Sequence, residues 1–245
     1  MRTRGLAKHF GNVEVLKSID FAVDYNESVG LIGDNGAGKS TLMSVLSGVH
    51  PPSSGTVELA GSIVRFSSPL DARKAGIEII HQDLALCDDL DATANVFLGR
   101  ELGRHGWLDR RTMRDEAAGI FERLGASLSP DQIVGSLSGG QRQLVAVARA
   151  LQFSPKLLLM DEPTAALSNN KIHMLLGTIK TLKARGVSVV LISHRFTDLL
   201  TVCDRVLAMR DGKITAEIRP GKRDVGELVT EMQSALTGET IEGLQ

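Results

Sequence analysis

Cysteine is scarce in this chain: Cys87 and Cys203 are the only two among 245 residues. Two isolated thiols supply neither a CxxC metal motif nor a disulfide framework, which leaves a reducing cytosol as the default setting. Each is expected as a small buried apolar side chain. Aromatic residues are sparse as well, at 4%, and offer few stacking platforms for single-stranded bases. Neither sign of charge dominates. The net charge of -1 argues against a basic nucleic-acid-binding surface, so no nucleic-acid partner is expected. Long hydrophobic runs are missing too. The longest, at 187–192, has strand length, whereas a membrane-spanning helix needs roughly 18 or more apolar residues. The basic start Met1-Arg2-Thr3-Arg4 is not followed by the apolar stretch of a signal peptide. A cytoplasmic protein that meets a membrane only through partners is the expectation.

What is present is an ordinary apolar content, 42%, in a chain long enough for one large domain or one domain with an embedded subdomain. Strand-like and helix-like segments alternate, the pattern of an α/β fold with a mostly parallel sheet and helices on its faces. Residues 29–32 read as a buried strand, and the helix after Lys39 carries Leu42, Val45 and Leu46 on one face. Short strands are expected at 56–59, 63–66 and 77–80, then helical structure up to about Gly140. Within it Asp109 is the expected N-cap of a helix whose stripe runs Met113, Ala117, Ile120, Phe121 and Leu124, with Leu108 and Met113 at staple spacing and Gly125 closing it. Leu157-Leu158-Leu159-Met160 has the look of a strand covered on both faces. A helix with Ile172, Leu175, Leu176, Ile179 and Leu182 on one side follows, ended by Gly186, then a strand at 187–192. Asp211-Gly212 predicts a two-residue hairpin, and a last helix starts near Asp224 and frays after Gly238.

The chemistry concentrates in a few strings. Gly33-Asp34-Asn35-Gly36-Ala37-Gly38-Lys39-Ser40, between a strand and a helix, is a phosphate-cradling loop. Its glycines let backbone amides turn toward one anion at the positive end of a helix. Lys39 supplies a point charge for β- and γ-phosphates, the Ser40 hydroxyl can ligate Mg²⁺, and Thr41 can bond the α-phosphate. Asp161-Glu162 ends the apolar strand, at the sheet edge where ligands of open α/β sheets gather. There Asp161 can hold Mg²⁺ through water and Glu162 can polarise an attacking water. His194 and Gln82 also end strands; the imidazole could meet a γ-phosphate, and the amide could reach Mg²⁺ and the water. Leu137-Ser138-Gly139-Gly140-Gln141 opens an amphipathic helix with Leu144, Val147, Ala148 and Leu151 on one face. Its glycines admit a close anion, and the helix start favours negative charge. A second anion corner has no nucleotide of its own within one chain, so its natural use is the nucleotide of a neighbouring copy.

With these residues in place, the chain resembles the ATP-binding cassette (ABC) subunits of membrane transporters over nearly its whole length. The phosphate loop matches at Gly33, Asp34, Asn35, Gly36, Ala37, Gly38, Lys39, Ser40 and Thr41, the Q-loop at Gln82, and the signature at Ser138, Gly139 and Gly140. The Walker B strand ends at Asp161 and Glu162, the D-loop is Ala166-Leu167-Ser168, and His194 is the switch histidine. Phe10 falls where the family places an adenine-stacking aromatic. The resemblance implies a P-loop NTPase with an N-terminal antiparallel β subdomain and a helical subdomain inserted at about 83–150, all within one domain of 1–245. It implies ATP and Mg²⁺ as ligands. The wording at Ser47-Gly48-Val49-His50-Pro51, Phe66-Ser67-Ser68-Pro69 and Asn95-Val96-Phe97-Leu98-Gly99-Arg100-Glu101 is similar to bacterial ribose, xylose and fructose importers.

Three departures stand out. Ser168 occupies a position that is aspartate in most of the wider family, Asn26 a turn usually held by glycine, and little chain precedes Lys8-His9-Phe10 for a first strand. The implied function is ATP hydrolysis driving monosaccharide uptake. Its implied partners are a second cassette, such as another copy, membrane permease subunits and, indirectly, an extracytoplasmic sugar-binding protein, which would set the chain on the cytoplasmic face of the membrane. Leu84 and Leu86 are candidate permease contacts or subdomain core. Two alternatives remain open at this point: a soluble ABC ATPase outside transport, and a weakly hydrolysing regulatory subunit.

Overall fold

The computed structural model describes residues 1–104, 106–164, 167–221 and 223–237. It begins with an antiparallel pair, β1 (Arg2–Phe10) and β2 (Val13–Ile19). The short start nevertheless holds a full nine-residue strand, because Lys8, His9 and Phe10 extend β1 and pair with β2 as far as Phe10 opposite Val13. Then come β3 (Ser28–Gly33), α1 (Lys39–Leu46), β4 (Ser54–Leu59) and β5 (Ser62–Val64). The strand expected to reach Phe66 stops at Val64 because the chain turns into α2 (Pro69–Lys74). The Ser68 side chain caps α2 by accepting from the Asp71 N–H, with proline in the first turn, a start signal the sequence carried without being read.

After β6 (Ile77–Ile80) the expected continuous helical stretch gives way to something more broken. Residues 81–91 are irregular, followed by α3 (Ala92–Phe97), a hairpin of β7 (Gly103–Arg104) and β8 (Trp107–Leu108), α4 (Arg110–Arg123), a 3-10 turn (Val134–Ser136) and α5 (Gly139–Leu151). Asp109 caps α4 through the Thr112 N–H and Gly125 follows its end with φ 65°, as expected. Leu108 is held in β8 opposite Gly103 and stays more than half exposed while Met113 is buried, so the expected staple adds little burial. Cys87 is exposed rather than buried: the Asn95 side chain clamps its backbone N–H and C=O, at 2.8 and 2.9 Å, and the thiol is left outside. Cys203 is buried, and burial pushes its thiol far above the ordinary range.

The remaining elements are β9 (Leu157–Asp161), α6 (Asn169–Ala184), β10 (Ser188–Ile192), α7 (Phe196–Val202), β11 (Arg205–Arg210), β12 (Lys213–Ile218) and α8 (Val225–Thr237). Gly238, where the last helix was expected to fray, lies outside the described residues. Asp211 and Gly212 join β11 to β12 with φ of 49° and 78°, the two positive values a tight hairpin needs. The order in the central sheet is β12-β11-β3-β10-β9-β6, parallel except for β12. A second, antiparallel sheet has the order β2-β1-β4-β5.

The central sheet is covered on both faces, and successive residues of one strand enter different cores. Leu157 and Leu159 pack with α1 and the antiparallel sheet, while Leu158 and Met160 pack with helices α3 to α8. β10 splits the same way, with Val190 and Ile192 in one core and Val189 and Leu191 in the other. Each such side chain contributes about 1.5–3 kcal/mol of burial, which makes these strands rigid supports. The parallel register then sets their carboxyl ends side by side. Ile192 lies opposite both Leu31 of β3 and Asp161 of β9, and Ile80 lies opposite Met160. The loops after β3, β10, β9 and β6 therefore open on one edge, in that order.

Candidate functional site

The loop after β3 is shaped from below by close neighbours. A Cβ on Gly33 would come within 2.5 Å of the Met209 carbonyl, and one on Gly38, at φ 102°, within 2.9 Å of Leu16 and 3.1 Å of the Val15 carbonyl. β2 and β11 thus press on the loop from two sides, and the Gly212 N–H bonds the Ala37 carbonyl from the hairpin tip. Asp34, Asn35 and Gly36 are exposed at the top, and Ala37, Gly38 and Lys39 are buried below. α1 starts with no side-chain cap and no acidic residue in its first turn. Its first N–H groups and its positive dipole end are left for an anion.

The Lys39 ammonium bends back over the loop and donates to the carbonyls of Gly33 and Asp34 at 2.6 and 3.0 Å. Burial lowers its pKa, and the carboxylates of Glu162, Asp161 and Asp34 oppose that shift. The Ser40 hydroxyl stands beside the Asp161 carboxylate, close enough to lower its pKa. Burial holds the Asp161 carboxyl above the usual range and Glu162 adds to the shift, with the Ser40 hydroxyl, His81 and Lys39 pulling the other way. A hydroxyl and a carboxylate side by side at one edge suit Mg²⁺, which takes most of its shell from water and phosphate. Among the described residues no group of three or more His, Cys, Asp and Glu side chains gathers to hold a metal.

Glu162 takes φ 50°, a left-handed value that a residue with a Cβ adopts at a cost of about 1–3 kcal/mol. Its N–H is fastened to the Ile192 carbonyl at 3.1 Å, across from β9 to β10. The side chain is thereby carried to His194, whose Nε2 stands 2.6 Å from Glu162 Oε1. Lys39, Ser40, Asp161, Glu162 and His194 are brought together at this edge.

The Ser138 corner is a separate place. Ser138 caps α5 in a closed box, its hydroxyl accepting from the Gln141 N–H while the Gln141 side chain accepts from the Ser138 N–H. Its remaining side-chain partner is Lys171 of α6, which donates to the Ser138 hydroxyl at 2.9 Å. A Cβ at Gly140 would fall 2.2 Å from Lys171 Cδ, so this glycine is what lets the lysine stem lie across the helix start. Among the described residues no hydrogen bond or ion pair links Ser138, Gly139 or Gly140 to the loop of Lys39. Sequence reasoning missed Lys171. The available signal was a cation in the first turn of a helix, where the dipole disfavours it.

Gln82 is exposed and lines a groove with Asp88 and Arg142, which form an ion pair. It thus faces α5, and it makes no hydrogen bond to Asp161, Glu162 or Ser40 among the described residues. Phe10 is 43% exposed at the end of β1, edge-on to His50 at 5.2 Å and with the Lys8 ammonium 5.1 Å from its centroid. Thr41 is half-buried in the first turn of α1. Of the D-loop string, Ala166 lies outside the described residues, and Ser168 is the N-cap position of α6 without making a side-chain cap bond. Asn26 adopts φ 58°, the conformation that explains why glycine is usual there.

A strand-to-helix phosphate loop facing acids at the ends of parallel strands, with an antiparallel sheet alongside, defines an α/β nucleotide-binding cassette. The family described as ABC transporter matches residues 16–165, more than half of the chain, and the chain belongs to that family. It is 42% identical over 233 residues to the ribose import ATP-binding protein RbsA of Bacillus licheniformis, covering 95% of this chain and 47% of that protein. The corresponding protein of Chromobacterium violaceum is 44% identical over 94% of this chain and 46% of its own length. The chain therefore spans about half the length of these curated relatives. Among solved structures, a nucleotide-free ATP-binding cassette from an ABC transporter superposes with a TM-score of 0.84 at 28% identity, covering 95% of this chain and 94% of that one.

Proposed function

We propose that this chain is an ATP-hydrolysing cassette of an importer that moves a monosaccharide through partner permease subunits at the cytoplasmic face of the membrane. The observation that carries the reading is the split between two anion corners. One has an uncapped helix start, a buried lysine and two acids at a sheet edge; the other, at Ser138, has none of these. The relatives named for ribose import support the substrate class.

In this reading the amides of Gly36, Gly38, Lys39 and Ser40 and the Lys39 ammonium hold the β- and γ-phosphates, with Thr41 on the α-phosphate. Lys39 exchanges its bonds to the Gly33 and Asp34 carbonyls for phosphate oxygens. Phe10 stacks on adenine, and Asp34, Asn35 and Ala37 shape the loop around the triphosphate. Ser40 and Asp161 would hold Mg²⁺, with Gln82 joining them on leaving the groove of Asp88 and Arg142; the ion would neutralise charge on the transferring phosphoryl group. Glu162 orients and polarises the attacking water. His194 shares a hydrogen with Glu162 and can turn toward the γ-phosphate. Ser138, Gly139 and Gly140 of a second copy close the far side of the nucleotide, so the working unit is a pair of cassettes.

The test is Glu162→Gln, measured for phosphate release and, by light scattering with ATP and Mg²⁺, for pairing. Turnover is expected to fall about a hundredfold or more while nucleotide binding and pairing persist. Unchanged phosphate release would remove Glu162 from its role. A persistent monomer with bound ATP would remove the composite site. For the substrate class, reconstitution with a permease should yield ATP-dependent uptake of ribose or a similar sugar; co-purification with ribosomes would point instead to an ATPase outside transport.

A further inference from the structure

The edge of the central sheet opposite the nucleotide corner holds a cavity of about 430 Å³. Tyr25, Lys156 and Val187, which line it, stand just before β3, β9 and β10. Its apolar floor is made by Ile120 and Leu124 at the end of α4, Leu151 of α5, Pro155, and Leu182 of α6. The rim carries Arg123, Lys156 and Arg185, and no acidic side chain lines the cavity. Among the described residues the side chains of these three cations make no hydrogen bond or ion pair, as is also true of several cations elsewhere on the surface; here the three share one rim.

Helix dipoles account for only part of this charge. The C-termini of α4, α5 and α6 all open on the cavity. Arg123 also borders the neighbouring hollow of Asp115 and Glu116, with its guanidinium over Gly119, so Lys156 and Arg185 carry most of the unopposed charge; each helix end is equivalent to about half a negative charge, and about half a positive charge remains. Tyr25 adds a hydroxyl at the rim, whereas the Thr178 and Thr181 hydroxyls that also line the cavity donate to the carbonyls of Met174 and Gly177. The volume lies within the range of about 300–1,000 Å³ usual for small-molecule sites.

We propose that this cavity binds a small organic anion with an apolar body, its charge among Arg123, Lys156 and Arg185 and its body on Ile120, Leu124 and Leu182. The site is independent of the nucleotide corner. Its walls come from α4 and α5 on one side and from α6 and the start of β10 on the other, so an occupant bridges the segment that carries Ser138 and the sheet that carries Lys39.

The test is a fluorescence titration of the full chain with anilinonaphthalene sulfonate, run beside N-phenylnaphthylamine, which has the same apolar body without the charge. One saturable site per chain is expected, preferring the sulfonate. Binding should weaken at least tenfold in the combined Arg123→Gln, Lys156→Gln, Arg185→Gln variant, and equally in Thr181→Trp, which fills the cavity and keeps every charge. Equal affinity for the two probes, or undiminished sulfonate binding in Thr181→Trp, would overturn the proposal. The tryptophan variant decides the matter should the triple charge variant fold poorly, and melting curves for each variant confirm which of them are folded.

Discussion

The two glycine-rich corners of this chain look alike in sequence and are opposites in structure. The loop of Lys39 is pressed between β2, β11 and a hairpin tip, its lysine is buried, and its helix starts uncapped. The corner of Ser138 is exposed, its helix is capped by its own serine, and its one distant side-chain partner is a surface lysine. The first has an uncapped helix start and a buried lysine, the features an anion site needs. The second has a helix start only partly satisfied and no acid or buried cation of its own to work with. Two similar strings thus become very different corners, and in the proposed reading the corner of Ser138 works only on the nucleotide of a second cassette.

The largest effect that tests this contrast is at Lys39. Lys39→Ala removes the one ammonium that lies in the loop, and a charge-assisted bond of this kind contributes about 1.5–3 kcal/mol. Nucleotide affinity of the single protomer, measured by calorimetry, should fall about tenfold to a hundredfold; normal affinity would mean that the amides alone hold the phosphates. Ser138→Ala should behave differently. It removes the cap of α5, at about 1 kcal/mol of stability, and should weaken ATP-driven pairing while the protomer binds nucleotide as before. A loss of protomer affinity equal to that of Lys39→Ala would merge the two corners into one site and break the comparison. The smallest effect is expected at Lys171. Lys171→Ala takes a half-buried cation from beside the Ser138 hydroxyl and should reduce pairing by a few-fold at low salt, fading as salt rises and screens the charge. A drop that persists at high salt would assign Lys171 to packing over Gly140 instead.

Much of the site was readable from the sequence because its residues are consecutive. Gly33 through Thr41, and Asp161 with Glu162, each need only a strand before them to be placed, and apolar runs announced those strands. The strand order of the central sheet, and with it the meeting of His194 with Glu162, was not readable in the same way. Nor were the left-handed turn at Glu162, the bond from Lys171 to Ser138, and the orientation of Gln82 toward Arg142 and Asp88. Each joins residues that are distant in the chain or depends on a local φ that no residue type demands. The hairpin of β7 and β8 inside a stretch read as helical shows the same limit, since two-residue strands carry almost no periodic signal.

The amino-acid sequence by itself determined which residues could carry the chemistry and which elements present them, because glycine spacing, capping residues and apolar runs act over a few neighbours. Tertiary structure alone decided which of the two anion corners stands with the acids. Only the parallel register of β3, β10 and β9 sets Lys39, Asp161, Glu162 and His194 on one edge, and it leaves Ser138 apart from them. That register comes from burying both faces of the sheet at once, a condition that belongs to the whole fold and to no single segment.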